Sequence, residues 1–294
     1  MISLSIIIVS YNTKDITLRC LTSLKKNLQK YPINYEVIAV DNGSKDGSGK
    51  MLQSLTSDWS NLKVVLSKKN LGFGKGNNLG VAGARGKYIL YLNSDAIVND
   101  IDFNDLVFLF ESQKDLGALT VKVVLSNGEI DPASHRGFPT LWRSFSYFLG
   151  LERIFIKIPL LNKLFGGYHL VHLNLNEVHE IDVPTGAFLF TKKNIIDKIG
   201  GFDKDYFAYG EDIEMAFQIK KLGYKIIYYP LWNVLHLKSV SGLKKKDSNI
   251  RRKTSFYFYD SMKIFYKKHY AELYPWFINQ LVYSAIDIKT KLKR

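Results

Sequence analysis

The sequence predicts an α/β domain built on a parallel sheet, and three observations carry that expectation. Short β-branched runs recur at residues 4–10, 36–41, 62–66 and 88–92. Stretches with helical periodicity separate them near 14–30, 47–57 and 74–84. A polar loop follows each run. Strands that are apolar throughout and alternate with helices belong to a sheet covered on both faces. Ligands of such open sheets sit beyond the carboxyl ends of the strands, so the loop after each strand is where chemistry is sought.

After the first strand comes Ser10-Tyr11-Asn12, and after the second Asp41-Asn42-Gly43-Ser44-Lys45-Asp46-Gly47-Ser48, both polar enough to meet a ligand. The third strand leads into Asn70-Leu71-Gly72-Phe73-Gly74-Lys75-Gly76-Asn77-Asn78. Its glycines allow close backbone approach at a helix start, although turn chemistry alone explains any one of them. A nicotinamide reading of Gly72, Gly74 and Gly76 fails on position, because that fingerprint follows the first strand of its unit and has different spacing. The fourth strand ends in Asn93-Ser94-Asp95, a lone carboxylate that by itself also suits a cap or turn.

The second half reads as a hairpin near 116–130, an aromatic and basic stretch over 141–173, and a strand at 187–191. Gly210-Glu211-Asp212-Ile213-Glu214 then opens a helix running to about 222. Acids at a helix N-terminus favour the helix dipole, so capping explains them as well as chemistry does. Strands at 224–229 and 233–237 follow, the last carrying His236, a residue type that at a strand end is often structural.

Composition narrows the class. A chain of 294 residues with 46% hydrophobic and 23% charged residues and a mean hydropathy of −0.08 is globular, with one large domain or two modest ones. No apolar run is long enough to span a bilayer, and the apolar start lacks the basic region of a signal peptide. The single Cys20 forms no internal disulfide, which suits a reducing cytoplasm. Net charge is +14, and residues 238–294 hold 14 Lys and Arg against 4 Asp and Glu. That basic end suits a polyanion, a nucleic acid or an anionic membrane surface, or is simply a solvated face.

Val40-Asp41-Asn42-Gly43-Ser44, Asn70-Leu71-Gly72-Phe73, Leu92-Asn93-Ser94-Asp95, Gly200-Gly201-Phe202-Asp203 and Glu211-Asp212 together resemble the family 2 glycosyltransferases. Within them the chain is most similar to bacterial rhamnosyltransferase-type enzymes of surface polysaccharide synthesis. The resemblance covers about residues 3–240 and implies a GT-A fold. It places a Rossmann-like nucleotide-sugar-binding half at 1–97 and an acceptor half at 98–240 on one continuous mixed sheet, followed by a helical extension at 241–294. It implies an inverting transfer that needs a divalent cation, Mg²⁺ or Mn²⁺. Asp41 matches the acid that contacts the nucleoside base, with Tyr11 packing near it. Gly72, Asn77, Asn78, Asn93 and Ser94 match donor-binding positions. Asp95 matches the last carboxylate of the DxD motif, whose first acid is Asn93 here, and His236 a histidine that completes the metal site. Asp212 matches the catalytic base, with Glu211 beside it orienting acceptor or loop and Glu214 able to do either.

The chemistry explains these residue types. A sugar diphosphate leaves readily once a hard cation neutralises its charge, so no protein acid is required. The acceptor hydroxyl needs a carboxylate on the opposite face to take its proton. The chain departs from the family in having Glu214 and Gln218 where an aspartate and an arginine are usual, which bears on sugar specificity. The expected donor is dTDP-rhamnose, with a UDP-hexose or UDP-N-acetylhexosamine as the alternative. Similar enzymes extend glycans on polyprenyl diphosphate carriers at the cytoplasmic face of the plasma membrane.

Lys244-Lys245-Lys246, Arg251-Arg252-Lys253 and the aromatics Phe256 to Tyr259, Phe265 and Tyr266 suit peripheral contact with an anionic membrane. They also suit packing on the core or a homodimer contact, and the 141–173 segment is a second membrane contact or acceptor-domain core. A nucleic-acid partner is not expected, since no such motif is present and the acids after the strands oppose phosphate. The rival of another class is a non-catalytic nucleotide-sugar or polyanion-binding module.

Overall fold

The computed structural model describes residues 2–238 and 248–292. Its first part is the expected alternation: β1 (Leu4–Ser10), α1 (Lys14–Lys30), β2 (Tyr35–Asp41), α2 (Ser48–Leu55), β3 (Leu62–Leu66), α3 (Phe73–Val81) and β4 (Tyr88–Leu92). β1 lies between β2 and β4, parallel to both, and β3 adds to β2 in parallel. Side chains alternate through β1. Leu4, Ile6 and Ile8 pack with Cys20, Leu24 and Leu52 of α1 and α2, while Ile7 joins Val81 of α3 on the other face.

The sheet continues past β4 without a break but changes direction. After β5 (Ala96–Val98) and α4 (Phe103–Ser112) come β6 (Leu116–Leu125), α5 (Leu141–Phe148), α6 (Leu151–Ile154), α7 (Pro159–Phe165), β7 (His179–Ile181), β8 (Phe188–Lys192), α8 (Lys193–Ile199), α9 (Glu211–Lys221) and β9 (Lys225–His236). β8 runs antiparallel to β4 and to β6, β9 parallel to β6, and β5 and β7 antiparallel to β9. The sheet of nine strands is thus mixed and continuous, as the family resemblance implied.

Two local expectations are corrected. The hairpin near 116–130 is one ten-residue strand, β6, whose return is a single bridge between Val124 and Ile130. The two strands at 224–229 and 233–237 are one, β9, with a bulge: Tyr229 pairs Val121 and Asn233 pairs Lys122. Pro230 has no N–H for the ladder, and Trp232 instead turns its indole N–H to Asp105 Oδ2 at 2.6 Å.

The chain ends in α10 (Ser248–His269) and α11 (Trp276–Leu292). α10 packs on the domain through Phe265 against Phe217, His269 against Phe217, and Tyr257 stacked on Phe207 with ring centres 4.6 Å apart. Trp276, Phe277 and Leu281 of α11 stay exposed. Lys244-Lys245-Lys246 lie outside the described residues. No helix among the described residues is long and apolar enough to cross a membrane.

Candidate active site

Strand register brings distant residues together. β5 runs antiparallel to β9 with Ala96 opposite His236, and the Leu237 N–H bonds the Asp95 carbonyl at 2.9 Å. Asp95 Oδ1 therefore lies 3.1 Å from His236 Nε2, and Asp131 Oδ2 lies 3.2 Å from Nδ1 on the other side of the ring. All three are buried. Asp131 also accepts from Lys238 Nζ at 2.8 Å and caps the turn after Ile130 by accepting from Ala133 N–H at 3.0 Å. Burial pushes the His236 pKa down, but the Asp131 and Asp95 carboxylates outweigh it and raise it to about 9. Burial likewise opposes ionisation of Asp131, yet His236 and the Lys238 ammonium hold its pKa far below the usual carboxylate range.

Among the described residues no group of three or more His, Cys, Asp or Glu surrounds a point that could hold an ion. The donors that are present still fit a divalent cation. Asp95 Oδ1 and His236 Nε2 converge, His236 is backed by a carboxylate on its other nitrogen, and the buried Asn93 Oδ1 has no hydrogen-bond partner. A cation that takes its remaining ligands from substrate phosphates needs only such a partial set.

The second cluster stands at the start of α9. Tyr209 and Gly210 adopt positive φ, at 69° and 80°, and this turn presents Glu211 and Asp212 at the helix N-terminus. Asp212 Oδ2 accepts from Arg136 Nη2 at 2.5 Å. Arg136 is aimed there by its backbone, which pairs with Val183, and by a second bond from Nη2 to the Pro184 carbonyl at 3.0 Å. Glu211 is buried and its Oε2 has no partner. Burial, and then the Asp212 charge beside it, raise its pKa to about 8. Glu214 turns away from this cluster and accepts from Tyr206 Oη at 3.0 Å and Gln218 Nε2 at 2.7 Å, with His269 Nε2 of α10 at 2.7 Å.

The expected donor residues fall into two sets. Ser10 and Asp41 are register partners at the ends of β1 and β2, so Tyr11, 44% exposed, lies on the loop beside Asp41. Asp41 Oδ2 accepts from Ser44 N–H at 3.3 Å, and its buried Oδ1 has no partner. By contrast, Asn77 donates to the Phe73 carbonyl at 3.0 Å, and Asn78 spends both ends of its amide on the backbone of Phe202, at 2.7 and 2.8 Å. Gly72, at φ 85°, passes so close to the Phe207 carbonyl that a Cβ would lie 2.3 Å from its oxygen. Ser94 sits in the turn between Asn93 and Asp95.

One cleft of about 1210 Å³ gathers Asn93, Asp131, Arg136, Glu211, Asp212 and His236 on its wall. Asp95 joins them through His236, while Tyr11, Asp41, Gly72, Asn77, Asn78 and Ser94 do not line it. Asp131, Arg136 and Lys238 escaped the sequence reading. The only signal was Asp131-Pro132, a turn-starting pair, which falls just after the segment read as a hairpin.

The glycosyl transferase family 2 profile matches residues 5–169, more than half of the chain. The chain belongs to this family. A second profile, glycosyl transferase family group 2, matches residues 88–281. Among curated relatives, rhamnosyltransferase WbbL of Escherichia coli is 26% identical over 239 residues, 79% of this chain and 82% of that protein. The N-acetylglucosaminyl-diphospho-decaprenol L-rhamnosyltransferase of Mycobacterium tuberculosis is 26% identical over 249 residues, 81% and 77% of the two chains. Among solved structures, mannosyltransferase PcManGT of Pyrobaculum calidifontis, in complex with GDP-Man and Mn²⁺, superimposes with a TM-score of 0.56 at 17% identity. That match covers 88% of this chain and 62% of the other. The fold is GT-A, and the protein is a glycosyltransferase similar to rhamnosyltransferases.

Proposed function

We propose that this glycosyltransferase moves a sugar, with inversion, from a nucleotide diphosphate to a hydroxyl of a growing glycan carried on a polyprenyl diphosphate. The observation that carries the reading is the shared cleft, in which Asp212 and the His236 imidazole that meets Asp95 face one cavity. dTDP-rhamnose is the favoured donor, supported by the names of the two relatives aligned over most of the chain. A UDP-hexose or UDP-N-acetylhexosamine donor is the second reading, favoured by Gln218, which stands where the family usually has arginine and bonds Glu214.

Asp212 takes the proton of the acceptor hydroxyl as the new bond to the anomeric carbon forms, a general-base role. Arg136 holds that carboxylate by Oδ2, which fixes its orientation. Burial, and then the Asp212 charge, favour the neutral form of Glu211, which makes it a poor anionic nucleophile. Asp95 and His236 would hold Mg²⁺ or Mn²⁺, which supplies charge neutralisation for the departing diphosphate. The partnerless Asp41 Oδ1 would accept an N–H of the nucleobase. The exposed Trp276, Phe277 and Leu281 beside the basic end suit peripheral binding to the inner face of the plasma membrane.

Thermal stability with Mn²⁺ and a panel of dTDP- and UDP-sugars tests the reading, since a ligand bound only by the native state raises the melting temperature. The expected result is a metal-dependent shift with one donor, lost in Asp95→Ala and kept in Asp212→Asn. No shift with any donor returns the chain to a non-catalytic module.

A further inference from the structure

The cleft that holds Asp212 is large and much of its wall is apolar. Small-molecule sites span roughly 300–1,000 Å³, against about 1210 Å³ here. Asn93, Arg136, Asp212 and His236 are among its polar lining residues. Much of the remaining wall comes from α5, α10 and α11, with Trp142, Phe145, Leu149, Met262, Leu281 and Ile286 among the apolar contributors. Leu149, Met262, Leu281 and Ile286 offer neither a hydrogen bond nor an aromatic face to a sugar or a nucleotide. Trp142, Phe145, Leu149 and Leu281 are also partly exposed, and a contiguous apolar surface of this kind marks a binding site.

Two features select the occupant. The apolar wall and the base belong to one cavity, so what lies on the wall is continuous with what reaches Asp212. A cation also stands on that wall: Lys289 of α11 reaches toward α5, with Nζ 5.6 Å from the ring centre of Phe148, and has no carboxylate partner among the described residues. An apolar chain that carries a diphosphate matches an apolar wall that carries a cation without an acid partner among the described residues.

We propose that the wall formed by α5, α10 and α11 is the binding site for the isoprenoid chain of the acceptor, with Lys289 facing its diphosphate. This rests on the reading that the acceptor is a lipid-linked glycan, and it assigns the part of the chain that holds the lipid.

Isothermal titration of the full chain in EDTA with farnesyl diphosphate, geranylgeranyl diphosphate and inorganic diphosphate tests the site. Each buried CH₂ shifts an equilibrium about fourfold, so affinity should rise about tenfold or more from the first isoprenoid to the second, with inorganic diphosphate weaker than both. Phe145→Glu and Leu281→Glu, both at partly exposed positions, should weaken isoprenoid binding at least about tenfold and leave stabilisation by dTDP or UDP with Mn²⁺ unchanged. Farnesyl diphosphate binding no tighter than inorganic diphosphate overturns the proposal. So do variants that bind isoprenoids like the wild type but lose binding to anionic vesicles, which assigns the wall to the membrane surface. Isoprenoid binding without sugar transfer from any donor leaves this site standing and removes the proposed function instead.

Discussion

Arg136 and Asp212 form a partly buried ion pair in the cleft, with the guanidinium Nη2 donating to Asp212 Oδ2 at 2.5 Å. The two residues are far apart in sequence. They meet because the Arg136 backbone bridges to Val183 while the Tyr209-Gly210 turn presents the start of α9. The pairing fixes the orientation of the Asp212 carboxylate toward the cleft.

Replacing the proposed base separates chemistry from binding. Asp212→Asn keeps an acceptor oxygen for Arg136 but removes the proton-accepting charge. Transfer should fall by about 10²–10⁴-fold, the usual contribution of a positioned base, while the thermal shift with donor and Mn²⁺ persists. Rates and melting curves on the same preparation check this, and full activity in the variant would remove Asp212 from the mechanism.

Arg136→Ala should act on stability as well as rate. Breaking one side of a fully buried pair leaves an uncompensated charge, at a cost of about 3–5 kcal/mol, and the cost here should be smaller because Asp212 is only partly buried on the cleft wall. Urea denaturation of Arg136→Ala beside the double variant Arg136→Ala/Asp212→Ala measures it. The double variant should recover part of the loss, because no stranded carboxylate remains.

Asp131 supports His236 from behind. A carboxylate on the far nitrogen of a metal-binding histidine typically affects affinity by about 10–100-fold, so Asp131→Asn should weaken Mn²⁺ binding by that order in the presence of nucleoside diphosphate. Titration followed by the Mn²⁺ electron paramagnetic resonance signal reads this without turnover. Unchanged affinity would mean that Asp131 only neutralises Lys238.

Glu211 gives a pH signature. Its folded pKa is about 8 against 4.5 for the free side chain, because burial and then the Asp212 charge oppose ionisation. The native state therefore holds this proton more tightly than the unfolded chain, and the associated stability is complete below about pH 4.5 and lost as pH rises through 8. Glu211→Gln cannot ionise, so its stability should fall less than that of the wild type between pH 5 and 8.5. Parallel slopes in denaturant melts across that range would contradict the assignment.

Legibility in the sequence followed the range of the interactions. The first four strands and their helices were readable because each is a local run with its own periodicity, and α1 begins and ends where the pattern placed it. β9 was read as two strands because Pro230 interrupts the run, whereas the sheet carries it through as a bulge. Within the site, Asp95, His236, Glu211 and Asp212 were visible as residues after strands or at a helix start. Asp131 and Arg136 were not, since their roles come from bridges to β6 and Val183 that no local pattern encodes. Asn78 shows the converse: its place in a motif suggested a ligand contact, and its amide closes on Phe202.

Gly72 offers a test of how the donor-side loop is held against the loop before α9. Its φ of 85° disfavours any side chain, and a Cβ there would lie 2.3 Å from the Phe207 oxygen, which accepts from the Phe73 N–H at 3.0 Å. Asn42 fixes the same loop by accepting from Leu71 N–H at 2.9 Å and donating to the Gly72 carbonyl at 3.0 Å, so the loop cannot swing away without losing several bonds. Gly128 is the natural control, with a φ of 83° and open space around its Cβ position. Backbone strain alone should cost about 1–2 kcal/mol in Gly128→Ala. Gly72→Ala carries that strain plus the clash and should lose clearly more in urea denaturation, with weaker stabilisation by donor because the loops part. Equal losses at the two positions would mean that the Phe207 contact yields freely and that Gly72 is kept for its φ alone.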